Sequence, residues 1–438
     1  MKLIFIKKNF SVHGGAENYM KTLIAHLSDK ADIHVVAKKW IESPGITFHR
    51  IDSLSLGSFL STIAFNAGTC RKIKTLRADC VISFERTTCQ DIYRAGEGCH
   101  REWLRLREMS EPFWKKYTFM INPLHIALLR IEKQLFSDTK IIIANSNMVK
   151  SQIIRHYSIP EEKIQVIYNG VDLKRFSPKN TELYRDKVRQ ELSIGKDTKL
   201  ILFVGSGFER KGLKTLLRAI SLLTPHGNIN YAGNVITRSE TPSLLLRGDK
   251  VPKQSHRLGA GSVISKKEIA TSRFIGTRND KMGGFEDLKL LVIGKGNIKK
   301  FQSIAKKYGI HDRVLFLGPQ KEIEKFYAAA DIFALPTIYD PFSNATLEAM
   351  ASGLPVITTK NNGVSELIQD GEEGFAIENP LDYNMLDEKI KSTLAGHESM
   401  GRKARLRAEK FPIEKAADEF LKIIVTIASV VTKVTIKK

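Results

Sequence analysis

Two carboxylates, Asp340 and Glu348, stand eight positions apart in the string YDPFSNATLEAMASGLPVITT, residues 339–359. The first precedes Pro341 and the second falls inside a predicted helix, so both can reach the hydroxyls of one ligand. The N–H groups of the first helical turn, near Ser343 to Ala345, can receive an anion. A second string, FVGSGFERKGLKTLLRAI at 203–220, ends a strand in a glycine-containing turn and places Arg210 and Lys211 just before a helix. A diphosphate needs adjacent cations and backbone donors rather than a base, and that pair supplies them. Each feature also has a plainer reading: Asp340 as a turn residue, Glu348 as an ordinary helix acid, Arg210 and Lys211 as a solvated pair. GSG is not a Walker loop, since GxxxxGK[ST] occurs nowhere, so ATP hydrolysis is not indicated.

Two further strings lie in the first half. GGAENYM at 14–20 follows the first strand, and Gly14 and Gly15 would let backbone approach a ligand at a helix start, although two glycines are more often just a turn. FERTTCQDIYRAGEGCHREWL at 84–104 follows the fourth predicted strand and carries Asp91, Glu97 and His100. A polar cluster after a strand end faces the ligand crevice of an open α/β sheet. Any one of the three could instead cap the next helix.

These motifs need strands to end at them and helices to start from them. Predicted strands at Lys2–Ile6, Ile33–Ala37, Thr47–Ile51, Cys80–Phe84, Lys140–Ala144 and Ile164–Ile167 alternate with helical patterns. The alternation restarts at Lys199–Gly205 and continues through Leu288–Ile293, Val314–Leu317, Ile332–Leu335 and Pro355–Thr358. The expected fold class is therefore α/β, with two doubly wound Rossmann-like domains facing across a cleft. A length of 438 residues with 42% hydrophobic and 26% charged suits two or three folded domains and excludes a disordered chain.

Lys and Arg number 69 against 47 Asp and Glu, a formal charge of +22, which favours anionic partners. The run Leu3–Ile6 before Lys7 and Lys8 is too short for a secretory leader, and 423–431, broken by Thr426 and Ser429, is too short to span a bilayer. Cys70, Cys80, Cys89 and Cys99 form no CxxC pair, so neither a zinc site nor a disulfide framework is expected, and a reducing compartment fits. Residues 101–133 mix seven Lys or Arg and four acids with Trp103, Phe113, Trp114 and Tyr117. That pattern suits either an anionic membrane surface or a structural helix.

Residues 226–286 break the alternation. They hold ten Lys or Arg against five acids with no sustained apolar period, on the order of 50 residues more than a usual loop. The stretch around ISKKEIATSRFIGTRND resembles peptides translated from palindromic repeat elements inserted in frame into bacterial genes. A disordered insertion is expected, which costs little in loop closure, and a basic nucleic-acid-binding segment is the competing reading.

Taken together, the strings at 339–359, 203–220, 14–20 and 84–104, with AAADIFALPT at 328–337 and VIYNGVDLKRFSP at 166–178, resemble the family 4 retaining glycosyltransferases. The string at 84–104 looks like that of members acting on the bacterial lipopolysaccharide core. The resemblance covers nearly the whole chain apart from 226–286, with Asp340 where many members carry Glu. It implies a GT-B fold: an acceptor-binding domain at 1–175, a nucleotide-sugar-binding domain at 176–410, and a helix at 411–438 crossing back to the first domain. It implies Asp91, His100 and Asp340 as catalytic residues, and Gly14, Gly15, Arg210 and Lys211 at the donor diphosphate. Asp340, Phe342, Ser343, Asn344, Ala345 and Glu348 would hold the donor sugar and ribose, with further contacts from Lys295 and from Gly318 to Gln320. The implied reaction moves glucose from UDP-glucose to a lipopolysaccharide core or other lipid-linked acceptor, without metal or cofactor, at the cytoplasmic face of the inner membrane. A nucleotide-sugar epimerase of the same fold would share the phosphate contacts. A basic nucleic-acid-binding protein would explain the charge, yet no RNP, KH or helix-turn-helix pattern is present and no specific nucleic acid is expected.

Overall fold

The computed structural model describes residues 1–9, 15–40, 45–52, 57–111, 121–223 and 287–436. The segment 226–286 and Gly14 lie outside them. Each half of the chain builds one parallel sheet from short apolar strands, the central ones buried on both faces, the pattern required when helices cover both sides. The first sheet comprises β1 (Lys2–Ile6), β2 (Asp32–Ala37), β3 (Ile46–Arg50), β4 (Cys80–Ser83), β5 (Ile92–Arg94), β6 (Ile141–Ala144) and β7 (Ile164–Val166), in spatial order 3-2-1-4-5-6-7. The second comprises β8 (Lys199–Val204), β9 (Leu288–Ile293), β10 (Val314–Gly318), β11 (Ile332–Ala334), β12 (Val356–Thr359) and β13 (Gly374–Ile377), in order 10-9-8-11-12-13. In both sheets the order reverses beside the first strand of the half, and that reversal opens a crevice at the strands' carboxyl ends.

Three of the helices near the site and the core start where a side chain supplies a cap. Asn122 accepts from Leu124 N (2.9 Å) ahead of Pro123, opening the helix Pro123–Asp138. Ser146 accepts from Val149 N (3.2 Å) at the start of Asn147–Tyr157, and Asn297 does the same for Ile298–Lys307. The chain's last helix, Ile413–Ile436, leaves the second half and lies on the first. Ala416, Ala417, Phe420, Ile424 and Ala428 join the core of Leu3, Phe5, Tyr19, Leu23 and Phe84. Tyr19 Oη donates to Ala416 O at 3.0 Å, fixing that helix against Gly15–Leu27.

Two observations correct the sequence reading. Cys70 and Cys89 are joined in a disulfide, their Cα atoms 5.4 Å apart. The helix Gly57–Leu76 brings Cys70 to the loop after β4, a proximity that spacing along the chain could not reveal. The cysteine pattern therefore does not argue for a reducing compartment. The other correction is β5, a three-residue strand where none was predicted, and it decides the position of Asp91. Among the described residues no helix is long and apolar enough to cross a membrane.

Candidate active site

The carboxyl ends of β8, β9 and β10 and the first turn of the helix Asn344–Ala351 enclose a cavity of about 710 Å³, within the ~300–1,000 Å³ usual for small-ligand sites. Gly205, Ser206, Gly294, Lys295, Gln320, Asn344, Ala345 and Glu348 line it, with Arg175 and Phe176 from the segment that joins the two halves. The secondary candidates Lys295 and Gln320 thus share one wall system with Glu348. Tyr327 Oη lies 3.0 Å from Glu348 Oε2 and 3.1 Å from Ala345 O, which holds the carboxyl in place. Burial pushes the Glu348 pKa up, and the Tyr327 hydrogen bond and the Arg175 charge partly counter that.

Phe342 and Ser343 do not offer their side chains to this cavity. The Phe342 ring is buried 6.0 Å from the Tyr168 ring, and Ser343 caps the helix by accepting from Thr346 N at 3.3 Å. What these two positions can present to a ligand is backbone.

Beside the cavity, Lys211 and Asp340 form a buried ion pair through Nζ and Oδ2. The turn that carries Lys211 is pressed onto the segment after β11. Gly212 has φ +76°, and a Cβ there would sit 1.8 Å from Pro336 O, so this position requires glycine. Arg210 Nη1 donates to Tyr339 O at 2.9 Å, and Arg210 O accepts from Ile338 N at 2.8 Å. Burial lowers the Lys211 pKa, Asp340 raises it, and neighbouring Arg210 lowers it again. The Lys211 stem also packs on Gly205, whose built Cβ would lie 3.2 Å from Lys211 Cγ, so the ion pair borders the cavity wall. Two cations against one carboxylate leave a net positive site that can exchange its internal partner for an anionic ligand.

On the first domain, His100 begins the helix His100–Ser110 at the carboxyl-end side of β5 and is 8% exposed. Its backbone N donates to Glu132 Oε1 at 2.8 Å, and its Nε2 lies 3.1 Å from His125 Nδ1. Burial first, then the charges of Arg86 and His125, drive the His100 pKa down to about 3, so the ring is a neutral imidazole at working pH. Glu97 forms an ion pair with Arg86. Gly15 is the first residue of the helix Gly15–Leu27.

Asp91 is not in the crevice. It immediately precedes β5, at the amino-terminal edge of a parallel sheet whose ligand side is the opposite edge. Its Oδ2 accepts from Val81 N (2.9 Å), its Oδ1 pairs with Lys140 (2.7 Å), and nearby Asp79 likewise accepts from Lys2 N at that edge. Its role is to tie strand starts together.

Several residues at the domain junction carried no signal in the sequence reading. Tyr339 bonds Cys99 N (3.0 Å) and Gln152 Oε1 (2.8 Å), and Ser146 Oγ donates to Pro341 O (2.9 Å). Glu366 accepts from Asn147 N (3.0 Å), Met148 N (2.6 Å) and Tyr168 Oη (2.8 Å), placing an acid of the second domain at a helix start of the first. The fully buried Glu132 collects Arg86, His100 N and Tyr157 Oη.

The chain matches two family models: "Glycosyltransferase Family 4" over residues 13–175 and "Glycosyl transferases group 1" over 280–410. It is 22% identical over 325 residues to the lipopolysaccharide glucosyltransferase WaaG of Escherichia coli K12, covering 74% of this chain and 70% of that one. It is 26% identical over 302 residues to the D-inositol 3-phosphate glycosyltransferase of Corynebacterium jeikeium, covering 67% and 58%. The matched stretch spans between 46% and 70% of the length of such curated relatives. The solved structure of WaaG, a glycosyltransferase of lipopolysaccharide biosynthesis, superposes with a TM-score of 0.74 at 18% identity, covering 96% of this chain and 99% of that chain. Anabaena HepE in complex with UDP-glucose gives 0.64 at 16%, covering 97% and 100%. Two Rossmann-like sheets with a ligand crevice on the second, and a family match to each half, make the chain a family 4 glycosyltransferase of GT-B architecture.

Proposed function

We propose that the enzyme is a retaining hexosyltransferase that moves glucose from UDP-glucose onto a lipopolysaccharide core or other lipid-linked glycan. The observation that carries this reading is the Lys211–Asp340 pair at the border of a cavity that also holds Glu348. The donor's diphosphate competes for Lys211 and Arg210, and Asp340 is thereby released toward the sugar hydroxyls. Glu348 accepts from the ribose hydroxyls. Leaving-group charge is then met by cations in a desolvated setting, where electrostatic stabilisation is strongest. The two cations meet the diphosphate charge, and the reading calls for no metal or cofactor. With Asp91 at the far edge of the sheet, the departing phosphate itself accepts the acceptor's proton. His100, a neutral ring, serves the sugar by hydrogen bonding.

A phosphorylated acceptor and an anionic bilayer both suit the first domain. Glu102 and Glu132 are buried, so two of the four acids in 101–133 leave the surface while Arg101 and Lys133 remain exposed. This supports peripheral binding at the inner face of the cytoplasmic membrane. Isothermal titration with UDP, UDP-glucose, UDP-N-acetylglucosamine and GDP-mannose, repeated for Glu348→Ala and Arg210→Ala, tests the donor assignment. Selective binding of UDP-glucose that weakens in both variants supports it. Tightest binding of another nucleotide sugar reassigns the donor, and sugar epimerisation without added acceptor replaces transfer with epimerase chemistry.

A further inference from the structure

Arg94, the last residue of β5, ends at the ligand edge of the first sheet and is 3% exposed. Among the described residues no carboxylate pairs with it. Its Nη2 donates to Asn169 Oδ1, and the rings of Tyr19 and Phe84 lie 4.3 and 5.8 Å from its guanidinium carbon. Gly96 leaves room for it, since a Cβ there would sit 2.7 Å from Arg94 Nη1. Tyr19 also shares a side-chain hydrogen bond with it, but a buried guanidinium with no carboxylate partner is costly, and the fold has arranged space to keep it.

The amide beyond it explains why. Asn169 Nδ2 donates to Asn344 Oδ1 at 2.6 Å, and Asn344 lines the cavity assigned to the nucleotide. A guanidinium has five donors and no acceptor, so it must face the oxygen of Asn169. Asn169 must then turn its NH₂ to Asn344, and Asn344 must turn its oxygen to Asn169. The NH₂ of Asn344 is left for the cavity. We propose that Arg94 is a positioning residue that sets the polarity of this amide relay, so that Asn344 presents a hydrogen-bond donor to a phosphate or sugar oxygen of the nucleotide ligand. The inference rests on reading the cavity as the nucleotide site, and it makes an acceptor-domain residue control donor affinity.

The test is titration of the full chain with UDP, alongside thermal melting. Arg94→Met removes the polarity signal, and Asn344→Ala removes the donor. Each is expected to weaken UDP about tenfold, one hydrogen bond's worth, and the double variant no further. Arg94→Lys keeps a donor-only group and restores most of the affinity. Asn169→Asp keeps the bond to Arg94 but turns a second oxygen on Asn344, which must flip, so UDP binding falls below that of Arg94→Met. Melting of Arg94→Met stays level or rises, because a buried charge without a counter-ion is lost. Wild-type affinity in Arg94→Met, losses that multiply in the double variant, or a UDP loss accompanied by a matching fall in melting temperature each overturn the relay. Glu348→Ala separates the two readings: if the wild type binds no UDP, or this variant binds it equally well, the cavity assignment fails and the relay falls with it.

Discussion

Tyr339 and Cys99 meet across the two domains, the phenol oxygen accepting from the Cys99 backbone N at 3.0 Å. Each stands one residue before a candidate for sugar contact, Asp340 on one side and His100 on the other. Tyr339 also donates to Gln152 Oε1 at 2.8 Å and lies nearly parallel to Trp103. One buried phenol therefore sets the register between the two halves of the reaction site. Tyr339→Phe keeps the ring contact and strands two buried polar groups, which costs about 1–3 kcal/mol each. The expected kinetic result is a fall in kcat of about tenfold or more, with the donor KM little changed, because the donor's contacts lie on the second domain. A collapse of donor affinity with kcat intact would assign Tyr339 to binding instead.

The Lys211–Asp340 pair makes a different prediction for stability than for activity. Lys211→Met leaves a buried carboxylate without its partner and should destabilise the fold by about 3–5 kcal/mol. Adding Asp340→Asn removes the orphaned charge, so the double variant should melt above Lys211→Met. Neither recovers transfer, since each lacks a group the donor requires. Denaturant titration and initial rates on the three proteins check this. Recovery of activity in the double variant would mean that the pair is structural and the donor site lies elsewhere.

What was legible in the sequence follows from range. Strand, turn and helix periodicity are local, so β1, β9 and the helix Leu213–Leu223 fall where the pattern places them. Motifs such as 203–220 and 339–359 carry their own geometry, which is why Arg210, Lys211, Asp340 and Glu348 can be named from types and spacing. β5 escaped because Ile92, Tyr93 and Arg94 are three residues ending in a buried cation, and no periodicity shows in so short a run. The error on Asp91 follows directly: a missing strand turns the start of one element into the end of another. Tyr339, Glu366 and Asn169 act through partners more than 70 positions away, and no local pattern carries such pairings.

Glu348 should impose opposite pH trends on stability and on binding. Its carboxyl titrates above the usual 4.5 in the folded chain. Between 4.5 and the raised value the folded state holds more protons than the unfolded one, so this group's contribution to stability declines as pH rises through that window. Ribose hydroxyls prefer the ionised form as acceptor, so affinity for UDP increases over the same window. Glu348→Gln should bind more weakly and flatten both profiles. Melting and titration at a series of pH values from 4.5 upward would show it, and parallel trends in the two measurements would contradict the assignment.

His100 has the reverse linkage. Its folded pKa is about 3 against the ordinary 6.5, so between those values the unfolded chain binds a proton that the folded chain refuses. Protons bound in excess by the unfolded state make stability fall as pH falls, and His100 contributes acid lability from pH 6.5 downward. His100→Gln keeps a polar group of similar reach without a titrating ring, and its melting temperature should decline less steeply over this range than that of the wild type. A neutral ring also excludes a proton-donating imidazolium, so kcat/KM of the wild type should carry no inflection near 6.5 that belongs to His100. An inflection there that disappears in His100→Gln would show a charged ring in the working enzyme. The crevice around Arg86, His125 and Glu132 would then have to open before the reaction, because the packing seen here holds the ring neutral.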